Sequence, residues 1–234
     1  PDEEEKIFTY KDMNFWCQGT GFRNSERLLL FVAIPDRYFE KIRFEESVPL
    51  ENYLLYRLSP AIRELEAEYQ NNKKNTREKA SFTIQSPDGC MEKKSGCRYD
   101  QARQCFVLCV HFTVPLVNAM SVNGKAAIRA MKDLLDCIET ELRRMDTEEI
   151  QLWMTTYKKQ REIRKFMEES GLCAFIADGS ILPREGDTGS PLESAIPFMS
   201  PVELRTEIPF ASGEKIIGMG IRKGITVITG GGYS

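Results

Sequence analysis

The chain has 234 residues, 41% of them hydrophobic and 29% charged, a balance that suits a folded protein able to bury a core without disulfide or metal staples. Its net charge of −3 gives no overall attraction to nucleic acid, so any such contact needs a local basic patch. No apolar run approaches the roughly 20 residues of a membrane-crossing helix, and no membrane association is expected.

The opening residues Pro1–Glu5 are acidic and lack an apolar stretch, so they are expected to be neither a signal peptide nor a transit peptide. A cleaved targeting segment ahead of Pro1 stays open. Residues 1–118 read as a mixed α/β domain. Leu28–Ile34 is a strand stopped by Pro35, and Pro49 opens a helix along which Leu50, Leu54, Leu55 and Leu58 recur at helical spacing. Pro60 is expected to break or kink that helix before Ile62, Leu65 and Tyr69 continue it. Gln70–Lys79 is polar and unpatterned, an expected linker, and two strands follow near Ser81–Gln85 and Cys105–Val114, parted by the Pro87-Asp88-Gly89 turn.

The seven cysteines are scattered without a C-x-x-C pair, which fits a reducing compartment. Cys105, Cys109 and His111, the only histidine, alternate onto one face of a strand, which raises the question of a metal. No further pair completes four ligands, so the expectation is thiols packed in a core strand and no metal site.

Residues 119–171 are expected to form paired amphipathic helices. The first, Asn123 to about Arg144, places Ala127, Ile128, Met131, Leu134, Leu135, Ile138 and Leu142 on one face. The second begins at a capping box of Asp146 with Glu149, buries Ile150, Met154, Tyr157, Ile163 and Phe166, and closes at Gly171. Its other face carries Lys158, Lys159, Arg161, Arg164 and Lys165, read either as a solvated surface or as a strip that contacts the phosphates of RNA.

In residues 172–234 the texture changes to short strands and turns. Cys173–Ala177 reads as a buried strand and Asp178-Gly179 as a turn; Arg184–Ser190 is a polar loop. A meander of three strands is expected at Glu203–Ile208, Lys215–Met219 and Ile225–Thr229, with turns at Ser212-Gly213 and Lys223-Gly224. The last strand is β-branched throughout, as in a strand buried on both faces, and it runs into Gly230, Gly231, Gly232, Tyr233 and Ser234. In the pattern G-x-x-x-x-G-K-[ST], Gly230 is the first glycine and Ser234 fills the last variable place. The Gly-Lys-Ser/Thr that completes a phosphate-binding loop would follow Ser234, so no catalytic residue is assigned within the chain, and hydrolysis would depend on groups beyond it. No Ser/His/Asp set supports an unrelated enzyme whose glycine loop grips a different anion.

Three segments carry a family resemblance: Ala177-Asp178-Gly179-Ser180-Ile181-Leu182-Pro183-Arg184, Ala195-Ile196-Pro197-Phe198-Met199-Ser200-Pro201, and Ile217-Gly218-Met219-Gly220-Ile221-Arg222-Lys223-Gly224. With Gly230–Ser234 they resemble signatures of the predicted ATPases of the ABC class, P-loop proteins in which an antiparallel subdomain precedes the phosphate loop. The similarity is strong over 171–234, divergent over about 80–170 and faint before that; Arg222 stands where the family has proline, which should matter little in a turn. The amino-terminal half is most similar to kinetoplastid mitochondrial members associated with RNA editing.

The resemblance implies an α/β architecture: an amino-terminal mixed α/β accessory domain joined to an ABC-type ATPase core, of which residues 172–234 are the leading part. It implies ATP with Mg2+ as cofactor, the metal's ligands lying beyond residue 234. Gly230 to Ser234 would line the phosphates, while Ser180 and Arg184 would approach the nucleotide or a dimer partner; Arg184 reads equally as a salt bridge closing its own loop. The implied activity is ATP-driven change in a homodimer that remodels RNA or a ribonucleoprotein in mitochondria. The alternative is an RNA-binding scaffold in which ATP or ADP is structural.

Overall fold

The segment Cys105–Thr113, β6, alternates in a way that decides the larger sheet. Phe106, Leu108, Val110 and Phe112 have essentially no exposed surface, while the residues between them point to the opposite face. Along one edge β6 pairs antiparallel with β3 (Arg27–Pro35) over its whole length. Two short strands share its other edge: β5 (Cys97–Asp100) beside residues 105–108 and β4 (Ser81–Ile84) beside residues 110–113. Beyond β3 come β2 (Met13–Gly19) and β1 (Phe8–Tyr10), giving a six-stranded sheet.

The computed structural model describes residues 6–20, 27–71, 79–118, 121–186, 190–227 and 229. The chain divides into two units, residues 1–155 and 156–234.

In the first unit, helix α1 (Val48–Asn71) covers the inner face of the sheet with Leu50, Tyr53, Leu54, Leu58 and Ile62. Pro60 lies within α1 without ending it: the missing N–H leaves the Tyr56 carbonyl without its usual donor, and Tyr56 is exposed, where water can take that bond. Pro35, expected to stop β3, is its last residue and opens a single 3-10 turn, Asp36–Phe39. The strand β5 is anchored to α1 by Glu51, a buried carboxylate that accepts from the Tyr99 N–H at 3.0 Å and the Ser47 hydroxyl at 2.7 Å. A small antiparallel pair, β7 (Leu116–Asn118) and β8 (Ser121–Val122), leads into helix α2 (Gly124–Arg143), whose first turn is capped by the Asn123 side chain. Ala127, Ala130, Leu134, Leu135, Ile138 and Leu142 of α2 join the same core. Ile128, expected on that face, is 70% exposed: one residue on from Ala127 is about 100° round the helix, past the rim of the stripe.

Helix α3 (Thr147–Glu169) crosses the boundary between the units. Its expected capping box is half formed. Asp146 accepts from the Glu148 N–H at 3.0 Å, but Glu149 accepts from the Tyr53 hydroxyl at 2.7 Å instead of reaching back. Ile150 and Met154 are buried, while Tyr157, Ile163 and Phe166 are only half-buried.

The second unit continues from α3 through Gly171, which takes the expected left-handed conformation at φ +67°. Its sheet has the order β10-β11-β9, with β9 at Leu172–Ala177, β10 at Arg205–Pro209 and β11 at Lys215–Arg222. All pairings are antiparallel. Gly218 faces Ala177 where the strands come closest; a Cβ there would run into the Ile176 carbonyl oxygen and lie 2.8 Å from the Ala177 Cα. The expected meander is therefore corrected. The third strand of this sheet is β9; of the strand expected at 225–229, the described residues 225–227 and 229 form no strand, and Ile225 is 99% exposed. A β-branched run becomes a doubly buried strand only with neighbours to take its backbone groups, and no described strand pairs with residues 225–227 or 229.

Candidate nucleotide site

The family-like segments of the second unit meet around one carboxylate. Asp178, immediately after β9, accepts from the Ser200 N–H at 2.6 Å and the Ser200 hydroxyl at 3.1 Å, and lies 3.6 Å from the Arg205 guanidinium. Arg205 also donates to the Ser200 hydroxyl. Two main-chain bonds continue the seam: the Gly179 N–H donates to the Phe198 carbonyl, and the Phe198 N–H to the Ser180 carbonyl, each at 2.8 Å. Gly179 makes this turn at φ +84°, a conformation that favours glycine. The segments 177–184 and 195–201, distant in sequence, are thus one stitched loop. Sequence reasoning noted Asp178 only as a turn residue; an Asp before Gly at a strand end was the available sign that its carboxylate organises backbone.

That loop presents Ser180 and Arg184. Ser180 is half-buried and its main chain is engaged in the seam. Arg184 is exposed, and its loop closes through main-chain contacts: a bridge to Pro191, the Glu185 N–H to the Ser190 carbonyl at 2.9 Å, and the Leu192 N–H to the Pro183 carbonyl at 3.0 Å. The salt-bridge reading finds no carboxylate on the Arg184 guanidinium among the described residues. Residues Gly230–Ser234 lie outside the described residues, so their relation to Ser180 and Arg184 is not placed.

The basic face of α3 separates into two sets. Lys159 turns aside, pairing with Glu214 and resting 5.4 Å from the Phe210 ring centroid. Near it, Glu162 accepts from the Ala211 N–H at 2.8 Å, so this pair pins the β10–β11 turn to the helix. Lys158, Arg161, Arg164 and Lys165 remain exposed on the rest of the face. Arg161 lies over the Tyr157 ring at 5.9 Å, and Lys165 is 3.9 Å from Glu169. The five-residue strip read from periodicity is therefore a four-residue one, because spacing alone does not show the Glu214 that captures Lys159.

Cys105, Cys109 and His111 do share a face of β6, but that face is the sheet's outer one. Cys105 and Cys109 are four residues apart, about 13 Å along a strand, too far to bind one ion. Burial raises both thiols above their ordinary pKa, which keeps them protonated and unreactive. Among the described residues no group of His, Cys, Asp or Glu is arranged to hold a metal ion, and no helix is long and apolar enough to cross a membrane.

Residues 146–234 match a family model described as ABC_ATPase, P-loop domain. The match supports an ABC-class P-loop ATPase family for this part of the chain, and with it nucleotide binding. No curated protein matches the chain.

Proposed function

We propose that residues 146–234 are the nucleotide-binding part of an ABC-class ATPase, with Gly230, Gly231, Gly232, Tyr233 and Ser234 offering main-chain N–H groups to the phosphates of ATP. The observation that carries this reading is the family match over a segment that ends in a glycine-rich run. Without a Cβ, glycine lets backbone N–H groups approach phosphate oxygens directly. Arg184 adds a cation with no carboxylate partner among the described residues, on a loop held in place by Asp178. Its planar fork suits bidentate pairing with phosphate. Magnesium accompanying ATP supplies charge neutralisation at the phosphates.

The test is thermal unfolding with MgATP. At a hundredfold excess over Kd a bound ligand adds about 2.7 kcal/mol, which for a chain of this size raises Tm by about 5–10 °C. Gly231→Val should abolish that rise, because a branched side chain blocks the approach of backbone to phosphate. An undiminished rise in the variant would put the phosphates elsewhere.

Around this centre the finer reading has residues 1–118 as an accessory domain, two copies closing on nucleotide, and RNA lying along α3. What supports RNA is the exposed set Lys158, Arg161, Arg164 and Lys165; the resemblance to kinetoplastid members supports a mitochondrial ribonucleoprotein setting. Reversing Lys158, Arg161 and Lys165 to Glu should weaken RNA binding and flatten its log–log salt slope by about 2. An unchanged slope returns α3 to an ordinary solvated helix. A scaffold in which nucleotide is only structural would keep RNA affinity independent of whether ATP or ADP is bound.

A further inference from the structure

The outer face of the six-stranded sheet carries side chains that the core does not use. Register sets Arg27 and Ser81 on either side of Thr113, and Leu29 and Thr83 on either side of His111. Directly opposed residues share a face, so these polar side chains gather at one end of the sheet. They line an open recess of about 670 Å³, which Thr20 helps to complete. That volume falls within the range of small-ligand sites.

Three features separate the recess from an ordinary solvated strand surface. Among the described residues, no Asp or Glu lines it, although acidic residues outnumber basic ones in the chain, 35 to 32. Arg27 has no carboxylate partner among the described residues, a state it shares with Arg43 and Arg98 of the same unit, neither of which lines this recess. The His111 ring and the Thr83 and Thr113 hydroxyls likewise have no hydrogen-bond partner among the described residues. Thr20 and Ser81 already donate, to the Arg27 carbonyl and the Glu66 carboxylate, and keep only acceptor capacity beyond that. Apart from those two hydroxyls, the available groups are donors and a fixed cation, the complement of an oxyanion; the Glu66 carboxylate reaches a lining residue only at Ser81, and among the described residues no acid pairs with Arg27, Thr83, His111 or Thr113.

We propose that this recess binds a phosphate-bearing ligand. Arg27 takes two phosphate oxygens in its planar fork, and Thr83, Thr113 and His111 donate to the remaining oxygens. A mononucleotide and the phosphodiester of an RNA strand present the same group to these donors. The site lies wholly within residues 1–155 and does not depend on the nucleotide reading of residues 146–234.

His111 is the only histidine, so its imidazole C–H signal in a 1H–13C spectrum reports this recess without ambiguity. Inorganic phosphate, uridine monophosphate and a six-nucleotide oligouridylate are titrated separately into the untagged full chain at fixed pH. The proposal expects a saturable shift of the His111 signal with at least one of them. It also expects binding weaker by about tenfold or more in Arg27→Gln, and a smaller loss in Thr83→Val, which keeps a good strand former. Saturation by the monophosphate at lower concentration than the oligonucleotide assigns a mononucleotide, and the reverse order assigns RNA. A signal unmoved by all three, or one that shifts identically in Arg27→Gln, overturns the site. A change in MgATP-induced stabilisation at Gly231 leaves this result untouched, so the two readings fail separately.

Discussion

In residues 1–155 the sheet and the helices α1 and α2 enclose the large apolar side chains so fully that Leu30, Val32, Ile34, Leu54, Phe106 and Leu108 have no exposed surface. In residues 156–234 a three-stranded sheet buries Leu172, Ile208 and Phe210, while Ile196, Met199, Val202 and Ile225 lie in solvent. The first region is held by apolar burial. The second depends far more on polar stitching: the Asp178 carboxylate, the Gly179–Phe198–Ser180 seam, and Lys159 and Glu162 at the β10–β11 turn. One region has the large apolar core, and the other the loops with family-like sequence.

That contrast can be broken most forcefully at Phe106, whose ring sits 4.8 Å from Tyr99 and 5.1 Å from Phe39. Phe106→Ala should cost about 3–5 kcal/mol and lower Tm by on the order of 10 °C, read by calorimetry. A loss below about 1 kcal/mol would mean the first region is not held by its core. Asp178→Ala is the matching test of the second region. It strands the Ser200 N–H and the Arg205 guanidinium, and should cost about 1–3 kcal/mol. Amide exchange at Ser200 and Phe198 should accelerate while β6 amides keep their protection; acceleration throughout β6 would show that the regions do not differ in what holds them. The smallest effect belongs to Ile225→Ser, expected within about 0.5 kcal/mol in a denaturant titration because the side chain it removes is exposed. A loss of several kcal/mol would mean that Ile225 is covered in solution.

Much of the first region was legible. Runs of consecutive apolar residues announced β3 and β6, and the 3.6-residue period announced α1 and α2. The strands β1, β2 and β5 were not read. β5 offers only Cys97 and Tyr99 to the inner side, between Arg98 and Asp100, and its place depends on Glu51, a distant residue of α1. β2 sets Phe15 and Trp16 on opposite faces, which blurs alternation; Trp16 then stacks with Phe31 at 5.4 Å on the outer face. In the second region the turns at Gly171, Gly179 and Gly213 were legible, because each takes a positive φ that few residues tolerate. At 225–229 the described residues, 225–227 and 229, form no strand for the converse reason. Composition shows that a segment can be a strand, whereas only pairing makes it one. The candidate site divides in the same way: the segment 177–184, with Ser180 and Arg184, and the segment 195–201 were visible as sequence, but the role of the Asp178 carboxylate that joins them was not.

The shared edge of β6 has a consequence for association between copies. Where β4 and β5 leave a gap, the Cys109 N–H is taken by the Gly96 carbonyl at 2.8 Å, and the Gly96 N–H by the Gln85 side chain at 2.8 Å. The described margins of this sheet are then β1, three residues long, residues 16–19 of β2 beyond it, and β4 and β5, four residues each. Margins so short give an incoming strand few backbone groups to bind, so the sheet is a poor template for self-propagating β-assembly even though its interior strands are strongly apolar.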